Sequence, residues 1–337
     1  FPMGVLRKLV YILGRLDPRN EKWTELQKKR LLDDMARTEQ LNDATIRENT
    51  LHELGQRLTR LDEAFEKNAL DYSRKLYLIE NCLYGVDIQP IAVQIAKMRF
   101  FISLIADQKV EQSADNLGVL PLPNLETKLV AANTLIAIDR PEQMTLRNPS
   151  IDALEKELQR VRERHFLART QTTKTKCREL DNKLRIEITD LLKKDGWGDK
   201  SAKQLASWDP YDQNASSGFF DLEWMFGITD GFDAVIGNPP YLESRHPSFD
   251  STLKELYQSS CKSRWGTDAS LITQGSDLLV YFFETSLRFI KQHGIVVFIT
   301  QNAWLDTDYG IKTQQFLIKH TNVSKIIDSK YRYFPAG

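Results

Sequence analysis

The sequence is poor in cysteine, and the three cysteines that it has stand far apart. Cys82, Cys177 and Cys261 form no CxxC pair, so we expect neither a disulfide framework nor a zinc site. The five histidines show no paired ligand spacing either, so no metal ion is expected. Unpaired cysteines are typical of proteins in a reducing compartment, and the pattern therefore predicts a cytoplasmic protein.

Long apolar runs are also missing from the 337 residues. No stretch reaches the roughly 18 apolar residues that a membrane-spanning helix requires. The apolar opening segment lacks the basic leader and the small-residue cleavage site of a signal peptide, so it is interpreted as an amphipathic helix. We expect no contact with a membrane. Hydrophobic residues make up 41% of the chain, which is enough for a sizeable globular core.

Neither sign of charge is in excess, because 46 Lys and Arg residues balance 46 Asp and Glu residues. Nucleic-acid affinity comes largely from neutralised phosphates, so this balance argues against strong binding by the chain alone. A local basic patch or a further domain would have to supply that affinity. Arg245, Lys262 and Arg264 could contact phosphates, although a solvated surface is the commoner role for such residues.

Short apolar segments alternate with amphipathic ones through much of the chain. Nearly continuous apolar strands between helices predict an α/β fold with a mainly parallel sheet covered on both faces. The predicted strands are 83–88, 127–133, 232–237, 294–300 and 323–328, and the amphipathic stretches are 90–106, 273–292 and 311–320.

Long polar segments with helical spacing interrupt this alternation. Apolar residues step by three and four in 47–66, in 151–165 and again in 177–191, after a polar break at 168–175. The last two stretches predict an antiparallel helical hairpin that is docked on the sheet domain or projects from it. Such helices more often serve as spacers or partner surfaces than in catalysis.

One predicted strand ends in an acidic residue. Asp87 closes the apolar segment, and Pro90 can open the following helix at its first turn. A carboxylate in this place can hold both hydroxyls of a ribose. Asp is equally suited to cap the helix, and the residues alone leave the two roles evenly balanced.

Another predicted strand ends in two prolines, within the segment GFDAVIGNPPYLES. Pro239 and Pro240 cannot donate to a sheet ladder, so they end the strand abruptly. The fixed backbone lets the side-chain oxygen of Asn238 and the carbonyl of Pro239 converge without reorganising when charge develops. A planar NH2 group fits between them, with the Tyr241 ring stacked on its carrier. The pattern predicts a rigid corner that holds an amine for attack.

These motifs give the chain a resemblance to a known family. NPPY after a strand, preceded by YGVDIQPIAVQIAK, resembles class I S-adenosylmethionine-dependent methyltransferases that act on the N6 amine of adenine in DNA. The chain is most similar to the large adenine methyltransferases of restriction–modification (type IIG) and phage-defence systems. The likeness covers 81–137 and 207–335 and includes LPNLETKLVAANTLI, WDPYDQNASSGFFDLEWMFG and SDLLVYFFETSLRFIKQHGIVVFITQNAWL.

The resemblance implies a Rossmann-like methyltransferase sheet with helices on both faces and long helical insertions. It implies S-adenosylmethionine as the cofactor, with Asp87 holding its ribose and Ile88 packing on its adenine. Asn133 stands where the family places a polar residue near that adenine.

For the target, the resemblance implies a base flipped out of double-stranded DNA. Asn238 and Pro239 would accept hydrogen bonds from the amine, and Tyr241 would stack on the base. Pro240 completes the rigid motif, and Asp277 in the fifth motif would support the pocket wall.

Two family motifs are missing. The loop of the form acidic-Pro-x-x-Gly-x-Gly-x-Phe is absent, and Phe1 resembles its closing residue; the eighth motif would follow YFPAG. The resemblance therefore implies a catalytic-domain fragment with impaired cofactor binding, and a restriction or specificity domain on the same polypeptide. The predicted division is 1–20 first core helix, 21–80 helical insertion, 81–140 cofactor-binding strands, 141–206 hairpin insertion and 207–337 core with the NPPY motif.

Two alternatives remain at this point. Methyltransferases with NPPY also modify glutamine in proteins or guanine in ribosomal RNA, but those proteins tend to be compact, and the long helical insertions here favour the DNA enzymes. The other alternative is a non-catalytic protein that keeps the methyltransferase fold as a scaffold for partners.

Overall fold

The chain divides into two compact units, each with its own hydrophobic core and its own pair of parallel strands. Unit 1 comprises Phe1–Ala131, Thr145–Asp195 and Ala202–Ser216, and unit 2 comprises Ala132–Met144, Gly196–Ser201 and Ser217–Gly337. The five-part division inferred from the sequence stays a prediction. The structure is a computed structural model that describes residues 1–39, 47–48, 51–52, 54–55, 58–59, 61, 70–108, 110, 112–113, 115–119, 122–140, 148–243, 246, 251–272 and 276–329.

Unit 1 places a short parallel strand pair against several helices. The strands pair with Gly85 opposite Leu129 and Asp87 opposite Ala131. Gly85 packs closely on the opposite strand, since a Cβ atom there would lie 2.7 Å from Cδ2 of Leu129 and the leucine side chain would have to shift. The elements are α1 (Pro2–Leu16), α2 (Glu21–Glu39), α3 (Leu70–Asn81), β1 (Gly85–Asp87), α4 (Pro90–Ile105) and β2 (Leu129–Ala131).

Helix α4 begins where the sequence predicts and packs one face into the core of unit 1. Pro90 opens the helix at its first turn, where a missing N–H costs nothing. One face of α4 is buried with residues from α1, α3 and β2. The buried core residues are Leu6, Tyr72, Leu78, Ile79, Val93, Phe100, Leu104, Leu125, Leu129 and Phe166. The helical stretch predicted over 47–66 lies largely outside the described residues.

The opposite face of α4 is apolar and exposed. Ile91, Ile95, Met98, Ile102 and Ile105 each expose more than two fifths of their surface. Their spacing of four, three, four and three residues is that of a coiled-coil seam. We call this strip the α4 seam.

The predicted helical hairpin is present in unit 1 as α5 (Pro149–Leu167) and α6 (Gln171–Lys194). The break between them is shorter than the predicted 168–175. Thr170 ends the break because its side-chain oxygen accepts a hydrogen bond from the Thr173 N–H and so caps α6.

A buried carboxylate joins the two hairpin helices. Asp181 on α6 is fully buried and accepts hydrogen bonds from Arg162 Nε on α5 at 2.9 Å and from Arg185 Nε at 2.7 Å. Arg185 also donates to the carbonyl oxygens of Ala206 and Trp208. The network therefore ties the hairpin to the last turn of α7 (Asp199–Ser207) and to the residue that follows it.

The hairpin turn is docked on the segment that leads into β2, so docking rather than projection is observed. Asn124 Nδ2 donates to the carbonyl oxygens of His165 at 2.7 Å and Ala168 at 2.9 Å. The imidazole of His165 is buried, which lowers its pKa. Arg178 Nε donates to its Nε2 at 3.3 Å, so this nitrogen is the acceptor of a neutral ring.

Unit 2 is built around a longer parallel pair. Strand β3 coincides with the predicted 232–237, and β4 begins before the predicted residue 294. Val235 lies opposite Val296, and Gly237 lies opposite Phe298. The elements are α8 (Leu222–Phe226), β3 (Phe232–Gly237), α9 (Ser251–Trp265), α10 (Leu278–Phe289), β4 (Ile290–Phe298) and α11 (Asp308–His320), with short 3-10 helices at Gly266–Leu271 and Ala303–Leu305.

One strand of the predicted sheet is corrected by the structure. The prediction of a strand over 323–328 is wrong: this segment is irregular, and Val323, Ile326 and Ile327 are exposed. A strand needs a neighbouring ladder, and no strand among the described residues pairs with it. The described strands form two parallel pairs, with a bridge between Ala132 and Ser217, and the single covered sheet stays a prediction. The α/β class and the parallel pairing are confirmed.

None of the helices in the described parts of the chain is both long enough and apolar enough to cross a membrane.

We predict that Asp181→Ala lowers the free energy of unfolding by about 3–5 kcal/mol, because two buried guanidinium groups lose their counter-charge. Chemical denaturation followed by circular dichroism measures the change. The matched control is Asp190→Ala on the same helix, whose exposed pair with Lys193 at 3.5 Å is worth at most about 1 kcal/mol. Equal losses in the two variants would contradict the role given to the buried carboxylate.

Candidate active site

The end of β1 presents a carboxylate and an aliphatic side chain to solvent. Asp87 is exposed, and its Oδ1 accepts a hydrogen bond from the Gln89 N–H at 2.8 Å. The next residue, Ile88, is 58% exposed. Asp87 does not cap α4, because the N-cap residue is Gln89 and no side chain caps the helix; Asp87 instead closes a turn before the helix, and this turn uses one of its oxygens. A carboxylate can accept about four hydrogen bonds, so the same group can still receive a diol.

Asn133, the other predicted cofactor residue, lies in unit 2 and is committed to local structure. Its Oδ1 accepts from the Leu135 N–H at 3.1 Å, and its Nδ2 donates to the Tyr257 hydroxyl at 3.5 Å. Its backbone N–H donates to the Ser217 carbonyl at 2.9 Å. These contacts orient the amide within the turn after β2, and they connect it to the buried aromatic Tyr257.

The predicted corner follows β3 and is anchored on both sides. The Ile299 N–H donates to the Gly237 carbonyl, and the Leu278 N–H donates to the Leu242 carbonyl, each at 3.1 Å. The four residues between these anchors contain Pro239, which is buried, and Pro240. Because prolines fix φ, the backbone of the corner has little freedom left.

The first anchor depends on close packing of an aromatic ring on a glycine. A Cβ atom at Gly237 would lie 3.0 Å from the ring of Phe298, the residue opposite it in the ladder. Phe298 stacks on Phe283 of α10, with ring centroids 5.7 Å apart. Glycine thus lets the end of β3 lie close to the aromatic layer formed by Phe283 and Phe298, whereas a larger residue would push the ring of Phe298 away.

The structure brings Asn238 and Tyr241 into direct contact. The Tyr241 hydroxyl donates to Asn238 Oδ1 at 2.9 Å. The sequence assigns this oxygen to an incoming amine and the ring to stacking, but it gives no indication that the hydroxyl reaches the same oxygen. Asn238 is exposed, and Tyr241 is 43% exposed, so both are open to a ligand.

A buried carboxylate lies beside the second anchor. Asp277 is 6% exposed and immediately precedes Leu278. The Tyr309 hydroxyl donates to its Oδ2. Burial, and then the hydrogen bond to Asp277, raise the pKa of Tyr309 to about 12, so the phenol stays protonated and remains the donor. Asp277 therefore helps to fix the start of α10, from which the anchor to Leu242 is made.

No sequence motif singles out Tyr309, although one residue beside it carries a signal. Gly310 follows it in the first turn of α11, where glycine is a poor helix former. The structural reason is steric, because a Cβ atom at Gly310 would lie 1.8 Å from the Trp304 carbonyl oxygen. A glycine that weakens a helix start indicates close packing there.

Two of the three residues considered for phosphate contacts lie in the described part of the chain. Lys262 and Arg264 lie in the last turn of α9 and are exposed, whereas Arg245 lies outside the described residues. Within the parts of the chain that the structure describes, no group of three or more His, Cys, Asp or Glu residues could hold a metal ion.

Comparison with known proteins gives one family and several relatives. The model of the family described as Eco57I restriction-modification methylase matches residues 81–334. The type II restriction enzyme and methyltransferase RM.Eco57I of Escherichia coli is 31% identical over 98 residues, which are 28% of this chain and 9% of the relative. No solved structure matches the chain significantly.

Two further relatives carry similar names. The type II methyltransferase M.BstVI of Geobacillus stearothermophilus is 28% identical over 109 residues, which are 32% of this chain and 18% of the relative. A Methanocaldococcus jannaschii protein, RM.MjaORFECS2P, provisionally named a type II restriction enzyme and methyltransferase, is 46% identical over 65 residues, which are 19% of this chain and 5% of the relative. The matched segments thus span less than a fifth of the length of these curated relatives.

We predict that Tyr309→Phe lowers the free energy of unfolding by about 1–3 kcal/mol, because the buried carboxylate of Asp277 loses one of its donors. Chemical denaturation measures the loss. Tyr11→Phe serves as the control, since the ring of Tyr11 is 57% exposed and the change should stay within about 0.5 kcal/mol. An unchanged stability in Tyr309→Phe would contradict the part assigned to this hydroxyl.

Proposed function

This chain belongs to the Eco57I restriction-modification methylase family, and from this premise we propose that it transfers methyl groups to DNA. The methyl donor is S-adenosylmethionine, and the acceptor is the exocyclic N6 amine of an adenine flipped out of the duplex. The relatives whose names combine restriction enzyme with methyltransferase support a place in a restriction–modification or phage-defence system. The parallel strand pairs of both units support a class I, Rossmann-like methyltransferase fold.

The single observation that carries the proposal is the anchored corner after β3. Asn238 Oδ1 and the Pro239 carbonyl are acceptors on a backbone that two prolines and two anchoring hydrogen bonds hold in place. Two acceptors on neighbouring residues suit a neutral NH2 group, which has two N–H donors to offer. Being fixed in advance, they need not reorganise when positive charge develops on the nitrogen.

The chemistry assigned to these residues follows from the weakness of the nucleophile. The lone pair of the adenine amine is delocalised into the ring. Acceptors at Asn238 and Pro239 hold its two N–H bonds out of the ring plane and so favour a localised lone pair. The corner would hold this amine in line with the methyl group of a bound S-adenosylmethionine, and such positioning supplies much of the acceleration. The transfer would form the N–CH3 bond and break the S–CH3 bond, S-adenosylhomocysteine would leave, and the methylated nitrogen would lose its proton to water.

The residues at the end of β1 fit the proposed cofactor. When bound, S-adenosylmethionine supplies the electrophilic methyl group. Asp87 keeps one oxygen outside the turn that precedes α4, and this oxygen can accept from ribose hydroxyls. The exposed side chain of Ile88 offers an apolar surface to a purine face. Asn133 is proposed to act on the cofactor indirectly, because its hydrogen bonds orient the turn after β2.

Access to the amine requires the base to leave the helix stack, at a cost of a few kcal/mol. The half-exposed ring of Tyr241 offers a stacking surface directly beside the acceptor oxygen of Asn238. Such stacking contributes about 1–3 kcal/mol per base, so it can offset much of the cost of flipping.

We predict that Asn238→Ala lowers methyl transfer to DNA by a factor of about 100–1,000, because one of the preorganised acceptors is lost. The assay supplies tritiated S-adenosylmethionine to the full-length protein with duplex DNA, structured RNA and a protein extract, and identifies the labelled base. Asn214→Ala is the control, since Asn214 is an exposed residue of unit 1.

Each outcome of this assay decides between functions. Label recovered as N6-methyladenine in DNA, and lost in Asn238→Ala, supports the proposal. Label in RNA or protein transfers the assignment to methyltransferases of guanine or glutamine. No transfer, together with no binding of the methyl donor, favours a non-catalytic scaffold.

We predict that Asp87→Ala weakens S-adenosylmethionine binding at least about tenfold, since hydrogen bonds to a charged group contribute about 1.5–3 kcal/mol. Isothermal titration calorimetry measures the affinity. Asp87→Asn keeps an acceptor for the Gln89 N–H, so any loss of affinity in this variant comes from the missing charge and not from the turn. Asp139→Ala, at an exposed position, is expected to bind like the wild type.

A further inference from the structure

The hydroxyl of Tyr241 has no task in the proposed function, because a phenyl ring would stack on a base equally well. It nevertheless donates to Asn238 Oδ1 at 2.9 Å, the oxygen assigned to the target amine. We propose that this hydroxyl is a positioning group that joins the stacking ring and the acceptor oxygen into one preorganised unit. The inference rests on the proposed function and assigns a role to an atom that the function leaves unexplained.

The side chain of Tyr241 needs such a restraint. The backbone of the corner is fixed by its prolines and by the anchors at Gly237 and Leu242, but the ring itself is 43% exposed. Among the described residues, Tyr241 has no ring partner, and its bond to Asn238 is its sole side-chain hydrogen bond. Without the hydroxyl, the ring would be free to rotate into solvent.

One oxygen can serve the tyrosine and the amine at the same time. An amide oxygen carries two lone pairs and accepts over a broad range of directions. A base stacked on the ring lies about 3.5 Å from it, the preferred separation of non-bonded heavy atoms. Two donors on these two planes, each about 2.9 Å from Oδ1, meet at the oxygen with an angle of roughly 75–100°, which two lone pairs can accommodate.

The same bond orients the amide of Asn238. The hydroxyl donates to the oxygen and so keeps Oδ1, rather than the NH2 group, on the side of the stacking ring. An NH2 group in that place would repel the target amine, since both groups are donors. The flipped adenine therefore meets a platform and an acceptor that are already in place, and no side chain has to be ordered at that moment.

The test is Tyr241→Phe in the full-length protein, which keeps the ring and removes the hydroxyl. We expect kcat/KM for duplex DNA to fall about three- to tenfold, the range that ordering one side chain costs. The KM for S-adenosylmethionine and the denaturant midpoint should remain at their wild-type values. Tyr241→Ala, which loses the ring as well, should fall further. The DNA is plasmid prepared from a host without adenine methylation, and Tyr11→Phe is the control.

A spectroscopic signature tests the contact independently of catalysis. With asparagine labelled by 15N, the side-chain amide signal of Asn238, assigned with Asn238→Ala, should shift in Tyr241→Phe and stay unchanged in Tyr11→Phe. If the wild type transfers no methyl group to DNA, the proposed function is wrong, and the amide signal alone decides whether the hydroxyl holds Asn238. If Tyr241→Phe changes neither this signal nor kcat/KM for DNA, the inference is overturned.

Discussion

The chemistry assigned to this chain depends on two backbone hydrogen bonds, one on each side of four residues. The bond from Ile299 to Gly237 continues the ladder between β3 and β4 by one step, and the bond from Leu278 to Leu242 attaches the far side to the start of α10. A segment that contains two prolines can offer few hydrogen bonds of its own, so its position must come from its flanks. The parallel pair, the aromatic layer and α10 all contribute to holding these flanks.

In unit 1, buried polar groups fix the register of the two hairpin helices. The carboxylate of Asp181 is satisfied by two guanidinium groups on the two hairpin helices, and Asn124 binds the carbonyls of the turn between them. Each group has partners at one register of the helices only, because a slide of one residue would leave a buried charge unpaired at high cost. The apolar contacts alone would tolerate such a slide more readily.

The sequence predicts the parts of the fold that local chemistry decides. The apolar run before Pro239 predicts β3 with its end, and Pro90 predicts the start of α4. The helix spacing predicts the hairpin, but Thr170 caps α6 earlier than the polar run indicates. The strand predicted at 323–328 fails because β-branched residues describe a propensity, whereas a strand also needs a partner.

In the candidate site too, local sequence indicates the residues but not the contacts between them. Asn238, Tyr241 and Asp87 are visible from the sequence, since their residue types at strand ends are chemically informative. The bond from the Tyr241 hydroxyl to Asn238, and the bond from Tyr309 to Asp277 across 32 positions of sequence, depend on side-chain directions and tertiary packing. No local pattern encodes these contacts.

The α4 seam has a practical consequence for work with the isolated chain in solution. Association of this row with another apolar helix, such as the same row in a second molecule, would bury its isoleucine and methionine side chains. Protein concentration then becomes a thermodynamic variable, because association through such a row would raise the unfolding midpoint by mass action. Unfolding data collected over a series of dilutions separate the intrinsic stability of unit 1 from the contribution of whatever covers this row.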